Sequence, residues 1–216
     1  MASPSKKLPA NRRKVTKEQR REQLIKATIK SVAKRGLGET TMADVTREAG
    51  LSIGIVNLHF QSKHKLLEET LRHLSEEYES ACQAALVKAG PSAARKLAAL
   101  VDLDFSPKVC DRGKLAVWFA YWGEVKSRPV YLQICADKDK RYEEIVTAIC
   151  QELIDEGALS GDSAPDIAAG LSALVNGLWL DLLMTPDKVD RKRCRNICMN
   201  YLAHAFPEQL ATVQQR

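Results

Sequence analysis

Apolar residues recur along this chain at three- and four-residue spacing, and no segment alternates apolar and polar positions with period two. That periodicity predicts helices throughout, because residues at i, i+3, i+4 and i+7 share one side of a helix. Ile25, Ile29, Val32 and Ala33 form one stripe, on a helix that starts at a Thr16/Gln19 capping box and runs to Arg35, with Gly36 beyond its end. Leu67, Leu71, Leu74, Tyr78, Ala81 and Ala85 form another over 63–89, which ends at Ala89-Gly90-Pro91. At 1.5 Å per residue this is a rod of about 40 Å. Further helices are expected at 92–104, 113–126, 129–156, 165–184 and 188–205, between Gly, Pro, Ser and Asp clusters. The expected fold is all-α: a basic arm over 1–15, a three-helix domain over 16–65, a larger helical domain over 66–206 and a tail over 207–216.

Between Thr40 and Lys65 the pattern tightens into two short helices and a turn. Thr41 with Asp44 makes a capping box, Gly50 supplies a residue tolerant of positive φ, and Ser52 stands where it caps a second helix from Ile53 to about Leu58. Val45, Ala49, Leu51 and Val56 are spaced to fill the angle between the two. This is helix-turn-helix geometry, in which the second helix enters a DNA major groove. An ordinary αα-hairpin has the same spacing. Phe60 and the helix start at Ser62-Lys63 add a cation and a positive helix end beside the reading helix.

Charge is divided to match. Residues 1–65 carry 15 Lys and Arg against 5 Asp and Glu, and the remainder carries 18 against 22. A basic segment coincident with a helix-turn-helix suits phosphate contact, although a solvated face or an anionic membrane surface would use the same charges. The arm, with Lys6, Lys7, Arg12, Arg13 and Lys14, suits phosphates or a minor groove, or serves as a solubilising tail. No apolar run is expected to approach the roughly 20 residues of a spanning helix, and the basic N-terminus lacks the apolar stretch of a secretory signal, so the cytoplasm is the expected location. The six cysteines match no zinc spacing and are expected as buried thiols, with redox sensing open. No Ser-His-acid, metal or phosphate-loop spacing points to an enzyme, and no cofactor is implied.

The segment 113–126, GKLAVWFAYWGEVK, holds four of the chain's twelve aromatic residues. Trp118, Tyr121 and Trp122 fall on one side of a helix, and Trp179 sits on a later helix able to pack against them. Such rings are either core or a ligand surface.

Gly36, Thr40-Thr41, DVTREAGLS, Gly54, Phe60, Ser62-Lys63 and Leu66-Leu67 resemble the DNA-binding domain of the tetracycline-repressor (TetR) family over about 16–71. Phe105, WFAYW, the RPVYL turn at 128–132 and AAGLSALVNGLWL resemble that family's choline-sensing, betaine-pathway branch. The resemblance implies a homodimeric repressor of choline and glycine betaine genes that leaves DNA when choline is present. It also implies a ligand site drawing on Phe105, Trp118, Tyr121, Trp122 and Trp179, with Asp104, Glu124 or Asp181 as the acid, because aromatic faces hold a quaternary ammonium that cannot donate hydrogen bonds. The alternative is a repressor of the same family sensing another hydrophobic or cationic compound.

On double-stranded DNA, an inverted-repeat operator would meet Ser52, Gly54, Ile55, Asn57 and Leu58 in the groove, with Thr41, His59 and Lys63 on phosphates. Asn57 and His59 depart from the aromatics common in the family, and Ile53 and Leu58 stand where polar residues are usual; these changes bear on operator sequence. The dimer is expected from two late stripes: Ile167, Leu171, Leu174, Leu178 and Leu182, then Cys194, Ile197, Cys198, Tyr201, Leu202 and Ala205. Both stripes would serve equally as internal packing.

Overall fold

Helix starts along this chain coincide with Ser, Thr and Asp residues whose oxygens accept the backbone N–H groups that a first turn leaves free. Thr16 with Gln19 and Thr41 with Asp44 form complete capping boxes, and Ser62, Ser92, Asp111, Ser163 and Asp190 cap the helices that follow them. The computed structural model describes residues 16–157 and 161–214, so the basic arm over 1–15 lies outside the described residues. Among the described residues the elements are α1 (Lys17–Glu39), α2 (Met42–Ala49), α3 (Ile53–Phe60), α4 (Lys63–Ala89), α5 (Ala93–Asp104), α6 (Arg112–Trp122), α7 (Pro129–Asp155), α8 (Ala164–Met184), α9 (Arg191–Ala205) and α10 (Pro207–Gln214), with no strand.

Three local expectations are corrected and one, at Gly36, holds. Ser52 has cap-like backbone angles, but its hydroxyl accepts no hydrogen bond; the turn is closed instead by Leu51 N–H on Thr46 O, leaving Ser52 exposed. Gly36, at φ 80° and ψ 170°, is not helical and breaks α1 after Arg35 as expected, with buried Leu37 in the short stretch beyond it. Helix α6 stops at Trp122 rather than 126, since Gly123 ends it and Arg128, restrained by the following Pro129, is not helical. Helix α10 occupies most of the expected tail, held by fully buried Phe206 and Leu210.

Three clusters make the interior. Leu24, Ile25 and Ala27 of α1 close over Val45, Ala49, Val56, Phe60 and Leu66, forming the helix-turn-helix core. Gln23 Nε2 donates to Ala49 O at 2.7 Å and fixes α1 across the end of α2. A second cluster joins Val32 and Leu37 of α1 to Leu67, Leu71 and Leu74 of α4, Val117, Trp118 and Tyr121 of α6, and Tyr131, Ile134 and Cys135 of α7. It welds the helix-turn-helix end to the body. The third and largest fills the body between α4, α5, α7, α8, α9 and α10.

Helix α8 has 21 residues and its most apolar 18-residue stretch has a mean hydropathy of 1.6, long and apolar enough to cross a membrane by length and composition, contrary to expectation. In this fold Ile167, Ala168, Leu171, Val175, Leu178 and Trp179 face the core. Most of the two stripes expected at a dimer interface are therefore internal: Ile167, Leu171 and Leu178, and likewise Cys194, Cys198 and Leu202, are buried within one chain. What α8 presents outward is a different row, Ala169, Ala173, Gly177, Leu180 and Met184. All six cysteines are buried with no disulfide, and burial pushes the thiols up to about 11 or 12, well away from a reactive thiolate.

Gly50 sits at φ 64°, ψ 33° between α2 and α3, where an added methyl would touch nothing. Gly50→Ala should thus isolate backbone strain and destabilise the chain by about 1–2 kcal/mol in urea unfolding, with Gly50→Asn costing less. An alanine variant as stable as the parent would mean that the turn relaxes to negative φ.

Candidate functional site: an aromatic cage and a DNA face

Asp104, the last residue of α5, carries a carboxylate with no solvent exposure. Each of its oxygens accepts a phenol: Tyr78 Oη of α4 donates at 2.6 Å and Tyr142 Oη of α7 at 2.7 Å. Its main-chain carbonyl accepts the Trp179 Nε1–H of α8 at 3.0 Å. Burial pushes the carboxyl up to about 6, opposed by the two phenol hydrogen bonds and by the Lys138 cation. The same burial, with the neighbouring carboxylate, holds both phenols well above their ordinary value.

Above this carboxylate the rings of Tyr78, Trp118 and Trp179 converge. Tyr78 and Trp179 meet edge to face at 6.1 Å, and Tyr78 lies tilted against Tyr142 at the same distance. At the focus is a cation: Lys138 Nζ of α7 lies 4.8 Å from the Tyr78 ring centroid, 5.2 Å from Trp118 and 5.6 Å from Trp179. Positive charge over three ring faces, above a buried acid, is the chemistry that recognises an ammonium group.

Of the residues expected at a ligand site, Asp104, Trp118 and Trp179 come together here. Phe105, the next residue after α5, is buried in the same body core. Tyr121 faces the other cluster, where its hydroxyl donates to Leu67 O at 2.8 Å and its ring meets Tyr131 edge to face. Trp122 is half-buried and packs on Phe119. The difference arises because α6 is packed on two sides, which divides its rings between them. Glu124 lies in the turn after α6, bonded to Ser127 and paired with Arg128, and Asp181 is exposed on α8. Neither is near the cage. Sequence reasoning missed Tyr78, Tyr142 and Lys138. The available signal was a lysine within the buried stripe Tyr131, Ile134, Cys135, Lys138, Tyr142 of α7. A wider open groove of about 920 Å³, lined by Lys88, Arg95, Asp102 and Arg195, lies elsewhere between α4, α5 and α9 and has no aromatic lining.

At the other end, Ser52, Gly54, Asn57 and Leu58 are exposed along α3, together with Ile53, whereas Ile55 is half-buried and packs on the helix-turn-helix core. Thr41 Oγ1 is occupied by its cap, donating to Asp44 Oδ2 at 2.6 Å. His59 is half-buried beside Phe60, and Lys63 Nζ donates to Gly38 O at 2.9 Å, tying the start of α4 to the end of α1. Arg47 on α2, not anticipated, is an exposed cation on the same domain.

Residues 24–70 match the bacterial regulatory proteins of the tetR family, and residues 91–207 match the C-terminal domain of BetI-type transcriptional repressors. The chain is 34% identical over 193 residues to the transcriptional regulator BetI of Pseudomonas aeruginosa PAO1, covering 88% of this chain and 94% of that one. It is 31% identical to BetI 2 of Chromohalobacter salexigens, covering 89% of each. Among solved structures it resembles a transcriptional regulator from Pseudomonas aeruginosa PAO1 (TM-score 0.76, 27% identity, 87% of this chain and 93% of that one). It also resembles one from Saccharomonospora viridis in complex with choline (TM-score 0.80, 23% identity, 88% and 98%). A helix-turn-helix welded to a helical body, with those relatives over nearly the whole chain, is the architecture of a DNA-binding transcriptional regulator and not of an enzyme: the chain belongs to the TetR family and carries a BetI-type C-terminal domain.

Proposed function

We propose that this repressor is released from its operator by choline or a closely related quaternary ammonium compound, held in the cage of Tyr78, Trp118 and Trp179 over Asp104. The observation that carries the reading is the three ring faces converging on one cation above a fully buried carboxylate. The choline complex of the Saccharomonospora viridis neighbour supports it. At about 2 kcal/mol per desolvated ring contact, two or three rings correspond to a dissociation constant between about millimolar and tens of micromolar.

The repressor acts as a homodimer on an inverted repeat. Ala169, Ala173 and Gly177 on the outward side of α8 are small and four residues apart, so a second α8 can approach closely, with Leu180 and Met184 extending the apolar row. Ser52, Gly54, Asn57 and Leu58 read the groove with Ile55 at its edge, while Thr41, His59 and Lys63 border the phosphates.

Four outcomes test these statements. Choline should release operator DNA in a gel-shift titration, and its neutral analogue with a tert-butyl group in place of trimethylammonium should be far weaker; equal potency would reject a cation cage. Choline affinity, followed by tryptophan fluorescence, should fall as pH drops through about 6, because protonating Asp104 removes the negative charge that the Tyr78 and Tyr142 phenols hold beside the rings. Affinity constant from pH 5 to 8 would mean that Asp104 is not the counter-charge. A glutamate at Gly177, where an added side chain meets open space within one chain, should give monomers by light scattering and lose tight operator binding. A dimeric Gly177→Glu would place the interface elsewhere. Lys63→Ala should weaken binding to every sequence alike and reduce the salt slope by about one, as for one lost phosphate contact; an altered sequence preference at unchanged slope would contradict that placement.

A further inference from the structure

The cage that suits a quaternary ammonium is filled by the protein's own cation. Lys138 Nζ lies over all three rings, and its side chain is only 6% exposed. The space left beside Tyr78 and Trp118, among Leu74, Ala81 and Val109, is about 10 Å³. That leaves room for no more than about one water, too little for a trimethylammonium group. A ligand therefore cannot simply be added. Electrostatics leads to the same conclusion: Lys138 Nζ stands over the ring faces themselves, so a second cation entering with Lys138 in place would meet like charge at close range in a buried site, with Asp104 and Asp139 already facing the first.

An exit for Lys138 is present. Its ammonium already pairs at 2.9 Å with Asp139, whose side chain is 39% exposed, so the head group can rotate outward and keep a carboxylate partner. The exchange favours the ligand on chemical grounds: a primary ammonium regains strong hydration on leaving, whereas a quaternary ammonium loses little on entering. Building on the cage reading above, we propose that Lys138 is a tethered competitor, which occupies the aromatic cage when no inducer is bound and swings out to Asp139 when a quaternary ammonium takes its place. Lys138 thereby sets the inducer concentration at which the repressor responds, because apparent affinity is reduced by the fraction of molecules in which the cage is open. The opposite role, Lys138 staying inside to pair with the carboxylate of a zwitterionic ligand, is disfavoured because its ammonium covers the ring faces that the ligand's own ammonium would need.

The test compares choline and glycine betaine binding by calorimetry for the wild type, Lys138→Ala and Lys138→Arg. Lys138→Ala should bind choline about tenfold or more tightly, as for a cage open in no more than about a tenth of wild-type molecules. Lys138→Arg, which keeps a competing cation, should bind choline no more tightly than the wild type. A folded Lys138→Ala with unchanged or weaker choline affinity would overturn the proposal. So would glycine betaine binding the wild type better than choline and losing that advantage in Lys138→Ala. If no variant, including Lys138→Ala, bound any quaternary ammonium, the cage reading itself would fall, an outcome distinct from a wild type that binds and an alanine variant that binds no better. A readout on the unmutated protein guards against misfolding of variants. Reductive methylation followed by mass spectrometry should find Lys138 slow to react alone and faster at saturating choline, whereas protection by choline would sink the idea.

Discussion

A carboxylate with no solvent exposure is the constraint on which the body of this protein depends. An unpaired charge at the position of Asp104 would be penalised by several kcal/mol, so the fold must deliver donors to both of its oxygens. It draws them from separate helices, Tyr78 from α4 and Tyr142 from α7, while Trp179 of α8 reaches the same residue's carbonyl. Three helices are thus held to the end of a fourth by polar contacts with defined geometry, and their rings are left facing one another. The aromatic cage follows from satisfying the acid. The charge that makes the cage attractive to cations is also what makes its walls stand where they do.

Trp118 extends this arrangement toward DNA. Its ring faces Lys138 within the cage, and it also belongs to the cluster containing Val32 and Leu37 of α1. Tyr121, one turn further along α6, is fastened to the backbone of α4 at Leu67. A change in what fills the cage acts on α6 and α4 together, and both pack on the helix that covers the helix-turn-helix. Because packed interiors resist gradual deformation, a displacement there, on the proposed reading, would pass to α1 and the helix-turn-helix core as a rigid shift. Helix α4 runs between the two ends as one continuous rod, and the packing adds a second route through α6 and α1.

Local signals in the sequence were strong where chemistry is local. Capping boxes at Thr16 and Thr41, the positive φ at Gly50 and the break at Gly90 each depend on residues within a few positions of one another, and those boundaries are legible. Long-range pairing was not. Tyr78 reads as one more apolar position of α4 until Asp104, 26 residues away, is seen to accept its hydrogen bond. The two late stripes were correct as apolar faces, but periodicity does not say what covers a face, and most of the first and half of the second are buried within the same chain. The rings of WFAYW share one helix yet face different cores. Lys138 offered the one overlooked clue, a charge within an otherwise buried stripe.

If cage and DNA face share one two-state element, binding at the two is coupled reciprocally. If choline weakens operator binding by some factor, bound operator must weaken choline binding by the same factor. Choline affinity measured with and without saturating operator, at one salt concentration, should differ by that ratio. Equal choline affinities in the two states, from a protein that binds both, would contradict the account.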